Sequence, residues 1–488
     1  MLERLAHRGP DGEGMRQVGR AWLGHRRLAI VDPTGGAQPL SNARGDLWLV
    51  GDGEVYNYRR LRTELGEATF RKGSDHEVVL HIFERDGAKG LERLWGTFAF
   101  VLAGSDGRFT AVRDPLGVAP LYWARRDETV LFASELKAFD EDWRGDVEPF
   151  PTGSVWTPEA GLRPLGRAPS GRPVLLRSRA PDEDPPSWVF ESIRDSVVHA
   201  VEELLVADVP VGALLSGGLD SSLVCAVAAL NVRRRGGTFK TFAAGLRESP
   251  DLVAARRVAE HIGSDHHERV YTAEEAIALV PEVIGMLESF DPMLLHSAVP
   301  NHLVATLARE HVKVVLIGEG ADELFAGYPH YAELKTGDEL QDGLLEELRG
   351  GHNLGLQRVD RITSANGLEA RIPFLDLDVV ELALALPPAW KLIRENRPEK
   401  WLLRQAFEGW LPHDLLWRGK EQFGQGTGME DVLRERFEAG VSESDLDRER
   451  NATDPPLRTR EELAYYRIFA RQFKGVNVSK TLGRSVEA

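Results

Sequence analysis

The segment VPVGALLSGGLDSSLVCAVAAL, residues 209–230, decides the fold. It opens as an apolar strand, VPVGALLS, and from Leu219 continues as a helix of apolar and small residues. Between them stand Ser216, Gly217, Gly218, Leu219, Asp220, Ser221 and Ser222. Two glycines let backbone approach a phosphate closely, and the helix start adds unpaired N–H groups and a positive dipole. Asp220 would repel a bare phosphate, so its position implies a Mg²⁺ ion between them. This is not a Walker loop, because the Gly-Lys-Ser ending is missing. Read alone, the same residues could be a polar helix cap after a strand.

Downstream the rhythm repeats. TFKTFAAGL is a second strand, followed by the helical DLVAARRVAEHIG; HHERVYT is a third, and HVKVVLIG a fourth. Thr272, with Glu275 three residues on, opens the intervening helix in a capping-box pattern. Strands alternating with helices predict a parallel sheet with helices on its faces. From about Tyr331 the pattern is mostly helical, and the tail NVSKTLGRSVEA reads as loose. Upstream, residues 1–167 read as short strands broken by Gly, Pro and Asp turns, including a hairpin in FAFVLAGSDGRFTAVR. Residues 168–186, rich in Pro, Ser and charge, read as a linker to a second unit spanning 187–488.

Composition narrows the function. The 488 residues are 42 % hydrophobic and 28 % charged, which is globular. The formal charge of −16 comes with no basic stripe, so nucleic acid is not an expected partner. No apolar run approaches the ~20 residues of a membrane span, and the first residues lack a secretory signal's apolar core. Cys225 is the only cysteine, so no internal disulfide can form, and a cytoplasmic location is expected.

Ligands of open parallel sheets bind beyond the carboxyl ends of the strands, and two further segments fall at that edge. Gly318-Glu319-Gly320-Ala321-Asp322-Glu323 follows the fourth strand, and its carboxylates suit one metal ligand and one proton acceptor; a solvated acidic turn is the plain alternative. Phe242-Ala243-Ala244-Gly245 closes the second strand with small residues against which an adenine could lie, although close packing explains them equally well.

Taken in order, SGGLDSS, FAAGL, GEGADELFAGY, EARIPFLD and RGKEQFGQGTG resemble the glutamine-dependent asparagine synthetase family. HRGPDGEG, HRRLAIVD, GEVYN, GSDHEV and RDPLGVAPLY resemble its glutaminase domain. The resemblance implies an N-terminal α+β Ntn-type α-β-β-α sandwich, here without its first strand. An α/β parallel-sheet domain that binds adenine nucleotide follows, with a helical C-terminal part. It further implies an ATP- and Mg²⁺-dependent ligase that converts aspartate, through β-aspartyl-AMP, to asparagine, releasing AMP and pyrophosphate. Ser216, Gly217, Gly218 and Ser221 would hold pyrophosphate, and Leu214, Ala244, Ile317 and Gly318 would surround the adenosine. Asp220 and Asp322 would bind Mg²⁺, Lys420 would neutralise the departing pyrophosphate, and Glu319 would act in the ammonia step. Arg27, Gly53, Glu54 and Asp75 would hold glutamine. Aspartate and ammonia or glutamine are the expected partners, and a homodimer the expected assembly.

Three departures qualify the resemblance. The chain begins Met1-Leu2-Glu3, without the cysteine whose thiol attacks glutamine, and Cys225 reads as a small buried hydrophobe. Either the true start lies upstream and supplies that cysteine, or the chain takes free ammonia; the sheet edge that a lost first strand would expose favours the former. Asp52 replaces an asparagine that would donate to the oxyanion. Around Pro292-Met293-Leu294-Leu295-His296 the family carries threonines and an arginine, which puts aspartate as acceptor in question. Two alternatives stand beside asparagine synthesis. One is an amide-forming enzyme of specialised metabolism resembling β-lactam synthetases, whose loop tyrosine is glutamate here. The other is a catalytically silent regulatory protein.

Overall fold

The computed structural model describes residues 1–166, 184–419 and 426–485. The expected linker therefore lies, except for 184–186, outside the described residues, and so does Lys420. No helix among the described residues is long and apolar enough to cross a membrane.

Eleven strands fill the first 166 residues. They are β1 (Gly12–Val18), β2 (Ala21–Arg27), β3 (Leu40–Ser41), β4 (Leu47–Val55), β5 (Gly96–Gly104), β6 (Phe109–Arg113), β7 (Tyr122–Arg126), β8 (Thr129–Ala133), β9 (Glu148–Pro149), β10 (Ser154–Thr157) and β11 (Gly161–Pro164). Six form an antiparallel sheet of order β11-β10-β6-β5-β4-β3; β8-β7-β9 form a second sheet, and β1-β2 a hairpin. Strand β5 shows why the layers stack. Phe98, Phe100 and Leu102 face α1 (Tyr58–Leu65) and α2 (Glu77–Asp86), while Ala99, Val101 and Ala103 face the three-stranded sheet through Trp123 and Phe150. A side-chain period of two thus buries both faces. The β5–β6 hairpin turns at the expected Ser105-Asp106-Gly107.

The second unit carries a five-stranded parallel sheet of order β14-β13-β12-β15-β16. Its strands are β12 (Val211–Leu214), β13 (Lys240–Leu246), β14 (Asp265–Tyr271), β15 (Val314–Leu316) and β16 (Glu369–Arg371). Helices α3 (Ser187–Leu204), α4 (Leu219–Arg234) and α5 (Pro250–Ile262) share one core with Ala213 and Ala243. Helices α6 (Ala273–Leu287) and α7 (Pro292–Ala308) share the other with Phe242, Ala244 and Val315. Both faces are covered, as a parallel sheet requires.

Two expectations are corrected. The Thr272 side chain does cap α6 by accepting from Glu275 N (3.2 Å), but the Glu275 carboxylate pairs with Arg269, so the box stays open. The tail is not loose over 477–485. Thr481 Oγ1 donates to the Val147 carbonyl (2.9 Å), Ser485 donates to Asp291 through N (2.7 Å) and Oγ (2.9 Å), and Arg484 pairs with Glu462.

Candidate active site

Strand β12 lies at the middle of its sheet, with β13 and β14 to one side and β15 and β16 to the other. The chain order reverses between β12 and β15, and the crevice beyond their carboxyl ends is the topological switch point where open parallel sheets bind ligands. The loops leaving these two strands are the glycine-rich 215–218 and the acidic 317–320. They abut because Gly318 has no side chain: a Cβ there would lie 2.6 Å from Ser221 N. Gly217 has φ +78°, and a Cβ on it would meet Ala254 Cβ and Ala255 N at 2.6 Å. Only glycine fits there. Beyond it Gly218 caps α4, whose first N–H groups face the crevice without helical partners. The Ser216 and Ser221 hydroxyls sit 3.0 Å apart at its floor.

The site's charges are arranged in pairs. Asp220 and Asp322, each in the first turn of the helix that follows one of these loops, converge on a single ammonium: Lys400 Nζ lies 2.5 Å from Asp220 Oδ2 and 2.7 Å from Asp322 Oδ1. Burial works against that charge, but the two carboxylates outweigh it and hold the lysine above its ordinary range. Glu319 is held by Arg358 of the helix α8 (Gly355–Ala365), whose Nη2 donates to both carboxylate oxygens at 2.7 Å. Next to it, burial pushes the Glu323 carboxyl up to about 7, helped by Asp322 and Glu319, and the Tyr328 hydroxyl donates to it at 2.6 Å. Leu214 ends β12, Ala244 lies two residues before the end of β13, and Ile317 follows β15, on three adjacent strands. Arg418 reaches the 215–218 loop from the C-terminal part, donating to the Gly217 carbonyl at 3.3 Å.

A cavity of about 480 Å³ lies between the N-terminal half and residues 356–372 of the second unit, and is lined by all four residues expected to hold glutamine. Their side chains are already engaged. Arg27 donates to the carbonyls of Asp32 (2.6 Å) and Pro33 (2.8 Å). Asp75 accepts from Val55 N (2.9 Å), and the Glu54 carboxylate turns away to pair with Arg371 of β16. Gly53 is in the left-handed region at φ +92°, and a Cβ on it would meet the Thr97 carbonyl at 2.0 Å. Asp52 accepts from Arg8 Nη2 at 2.7 Å. Burial would raise its carboxyl, but Arg8 outweighs that and sets it below the usual range. An ionised group therefore stands where an oxyanion donor was expected. His296 is not a free cation beside the crevice: it is buried and paired with Glu461 at 2.8 Å, which also accepts from the Tyr465 hydroxyl at 2.7 Å.

Comparison with known proteins shows the family. The asparagine synthase family matches residues 192–354 and 336–472, and the glutamine amidotransferase domain matches 1–150. An asparagine synthetase (glutamine-hydrolysing) of Arabidopsis thaliana, numbered 3, is 38 % identical over 97 % of this chain and 84 % of its own. The chain belongs to the asparagine synthase family. A second Arabidopsis relative is 37 % identical over 97 % of this chain and 83 % of its own, and one from Sandersonia aurantiaca is 36 % identical over 97 % and 92 %. A solved glutamine phosphoribosylpyrophosphate amidotransferase from B. subtilis overlaps 51 % of this chain and 63 % of its own at 22 % identity, but with a TM-score of 0.29.

Three residues of this family member's site escape a reading of the sequence. Lys400 stands in RPEKWLLRQAF, where nothing distinguishes it from an ordinary surface lysine. Arg358 and Asp360 stand in LQRVDRITS, which reads as the solvated charged face of a helix. Their partners lie 39 residues away for Arg358 and 352 for Asp360, beyond the reach of any local pattern.

Proposed function

We propose that this protein is an ATP-dependent asparagine synthetase, with an amidotransferase-like unit over 1–167 and a synthetase unit over 187–488. One observation supports this most: a glycine-rich helix start and two carboxylates, one after each of two adjacent strand-end loops, meet at the sheet's switch point. In this reading the N–H groups opening α4, with Ser216, Gly217, Gly218 and Ser221, take the β- and γ-phosphates. Leu214, Ala244, Ile317 and Gly318 take the adenosine, and Lys420 counters charge on the leaving pyrophosphate. The aspartate β-carboxylate attacks the α-phosphorus, pyrophosphate leaves, and β-aspartyl-AMP forms. Glu319, fixed by Arg358, then faces the incoming ammonia and accepts a proton as nitrogen bonds to the acyl carbon and AMP departs.

Asp220 and Asp322 fit a Mg²⁺ ion, because both reach one cationic point and Mg²⁺ takes one or two carboxylates plus substrate phosphates. Bound there, the ion would neutralise phosphate oxygens as charge moves onto pyrophosphate. A second acceptor acid is favoured by one observation: His296, in the segment where the family carries an arginine near the substrate carboxylate, is already engaged by Glu461.

Aspartate-dependent exchange of labelled pyrophosphate into ATP, with AMP as spent nucleotide, tests the reading. Release of ADP, or no exchange with any amino acid carrying a second carboxylate, overturns it. A silent regulatory protein would give no exchange at all.

A further inference from the structure

Lys400 is placed with unusual care. Its backbone is left-handed, φ +55°, a conformation that costs a side-chain-bearing residue free energy and persists only where the surroundings impose it. Its side chain is buried, and the stem runs past Gly327, where a Cβ would come within 2.2 Å of Lys400 Cε and 1.8 Å of Asp322 Oδ1. Room for the ammonium between the two carboxylates therefore exists only because residue 327 is glycine. The ammonium stands where it touches one oxygen of Asp220 and one of Asp322.

Those are the two carboxylates assigned to the divalent cation, and among the described residues no group of three or more His, Cys, Asp and Glu side chains could hold a metal. Two carboxylates neutralised in part by a lysine bind a cation poorly, since the entering charge must displace the resident one. A nucleoside triphosphate changes the balance. Its oxygens complete the cation's shell and offer the flexible lysine stem a new anionic partner.

We propose that Lys400 is a placeholder for the divalent cation. Without nucleotide its ammonium keeps Asp220 and Asp322 together and closes the point between them to metal. With nucleotide the ammonium moves to phosphate oxygen and the cation takes its place. The proposal rests on the ATP reading above, and it makes Lys400 a positioning residue that couples metal entry to nucleotide entry.

Mn²⁺ titrated into the full chain, with free metal read by electron paramagnetic resonance, tests it without turnover. Wild type should retain one tightly bound Mn²⁺ with α,β-methylene-ATP and bind at least about tenfold more weakly without it. Lys400→Met should gain about tenfold or more in Mn²⁺ affinity in the nucleotide-free protein, and Lys400→Arg, which keeps the charge, should not. Equal Mn²⁺ affinity of wild type with and without the analogue overturns the proposal, even if Lys400→Met fails to fold. Failure of the ATP reading is separately visible, because calorimetry would then show no binding of the analogue itself.

Discussion

Arg8 grips Asp360 through both carboxylate oxygens, Nη1 to Oδ2 and Nη2 to Oδ1, each at 2.8 Å, and so ties the N-terminal cavity to the helix that holds Glu319. The same guanidinium reaches Asp52 at 2.7 Å and the fully buried Glu135 at 2.9 Å. Helix α8 thus presents Asp360 to one site and Arg358 to the other. Removing the cation leaves buried carboxylates facing each other, which costs more than the pairs themselves contribute. Arg8→Met should lower unfolding free energy by about 3–5 kcal/mol in urea titrations, and adding Asp360→Leu should return part of it. A loss below about 1 kcal/mol would show that these contacts are no more than surface pairs.

Glu319 and Asp220 should separate the two halves of the reaction. Glu319→Gln keeps the loop's shape but cannot accept a proton, so pyrophosphate exchange should persist while amide formation falls by about 10²–10⁴. Asp220→Asn should abolish exchange itself, since one carboxylate of the cation site is gone. An equal loss of both activities in Glu319→Gln would remove that residue from the amide step.

How far the sequence could be read follows from where each signal sits. Four of the five strands of the parallel sheet are legible because each lies in a β-rich run bounded by a helix pattern. The fifth, β16, is three residues long and reads Glu-Ala-Arg, with no periodicity to find; only its pairing with β15 makes it a strand. The loops at 216–222 and 318–323 stand out because glycines and carboxylates cluster where a strand ends. Lys400, Arg358 and Arg8 do not, because a lone cation carries meaning only through partners that the fold brings from elsewhere. The tail fails for the same reason: NVSKTLGRS is polar and short, yet Asp291 and Val147 supply the acceptors that order it.

His25 should make the N-terminal half acid-sensitive. Burial, with help from His76, pulls its imidazole down to about 4 from 6.5, while its Nε2 lies 3.1 Å from the Gly51 carbonyl. Between these values the unfolded chain binds a proton that the folded chain refuses. Stability is therefore retained above pH 6.5 and lost as pH falls toward 4, by up to ~2–3 kcal/mol. His25→Gln keeps a donor for Gly51 and cannot be protonated, so its stability should fall less between pH 7 and pH 5 in paired urea titrations. Parallel curves for the two proteins would show that His25 is not the group responsible.

Cys225 should not serve as the nucleophile for glutamine hydrolysis. The one cysteine, Cys225, is fully buried on α4 behind the phosphate loop, and burial alone pushes its thiol far up, away from the thiolate that nucleophilic attack needs. Asp52 adds a fixed negative charge in the cavity where an oxyanion would form. Amide formation from ammonium should therefore not depend on Cys225. Cys225→Ser should leave the ammonium reaction within about twofold, because the thiol only fills space; a small loss would reflect the hydroxyl placed in an apolar site. Following product with ¹⁵N-ammonium against amide-¹⁵N glutamine distinguishes the sources, and labelled product from glutamine that disappears in Cys225→Ser would reverse the assignment.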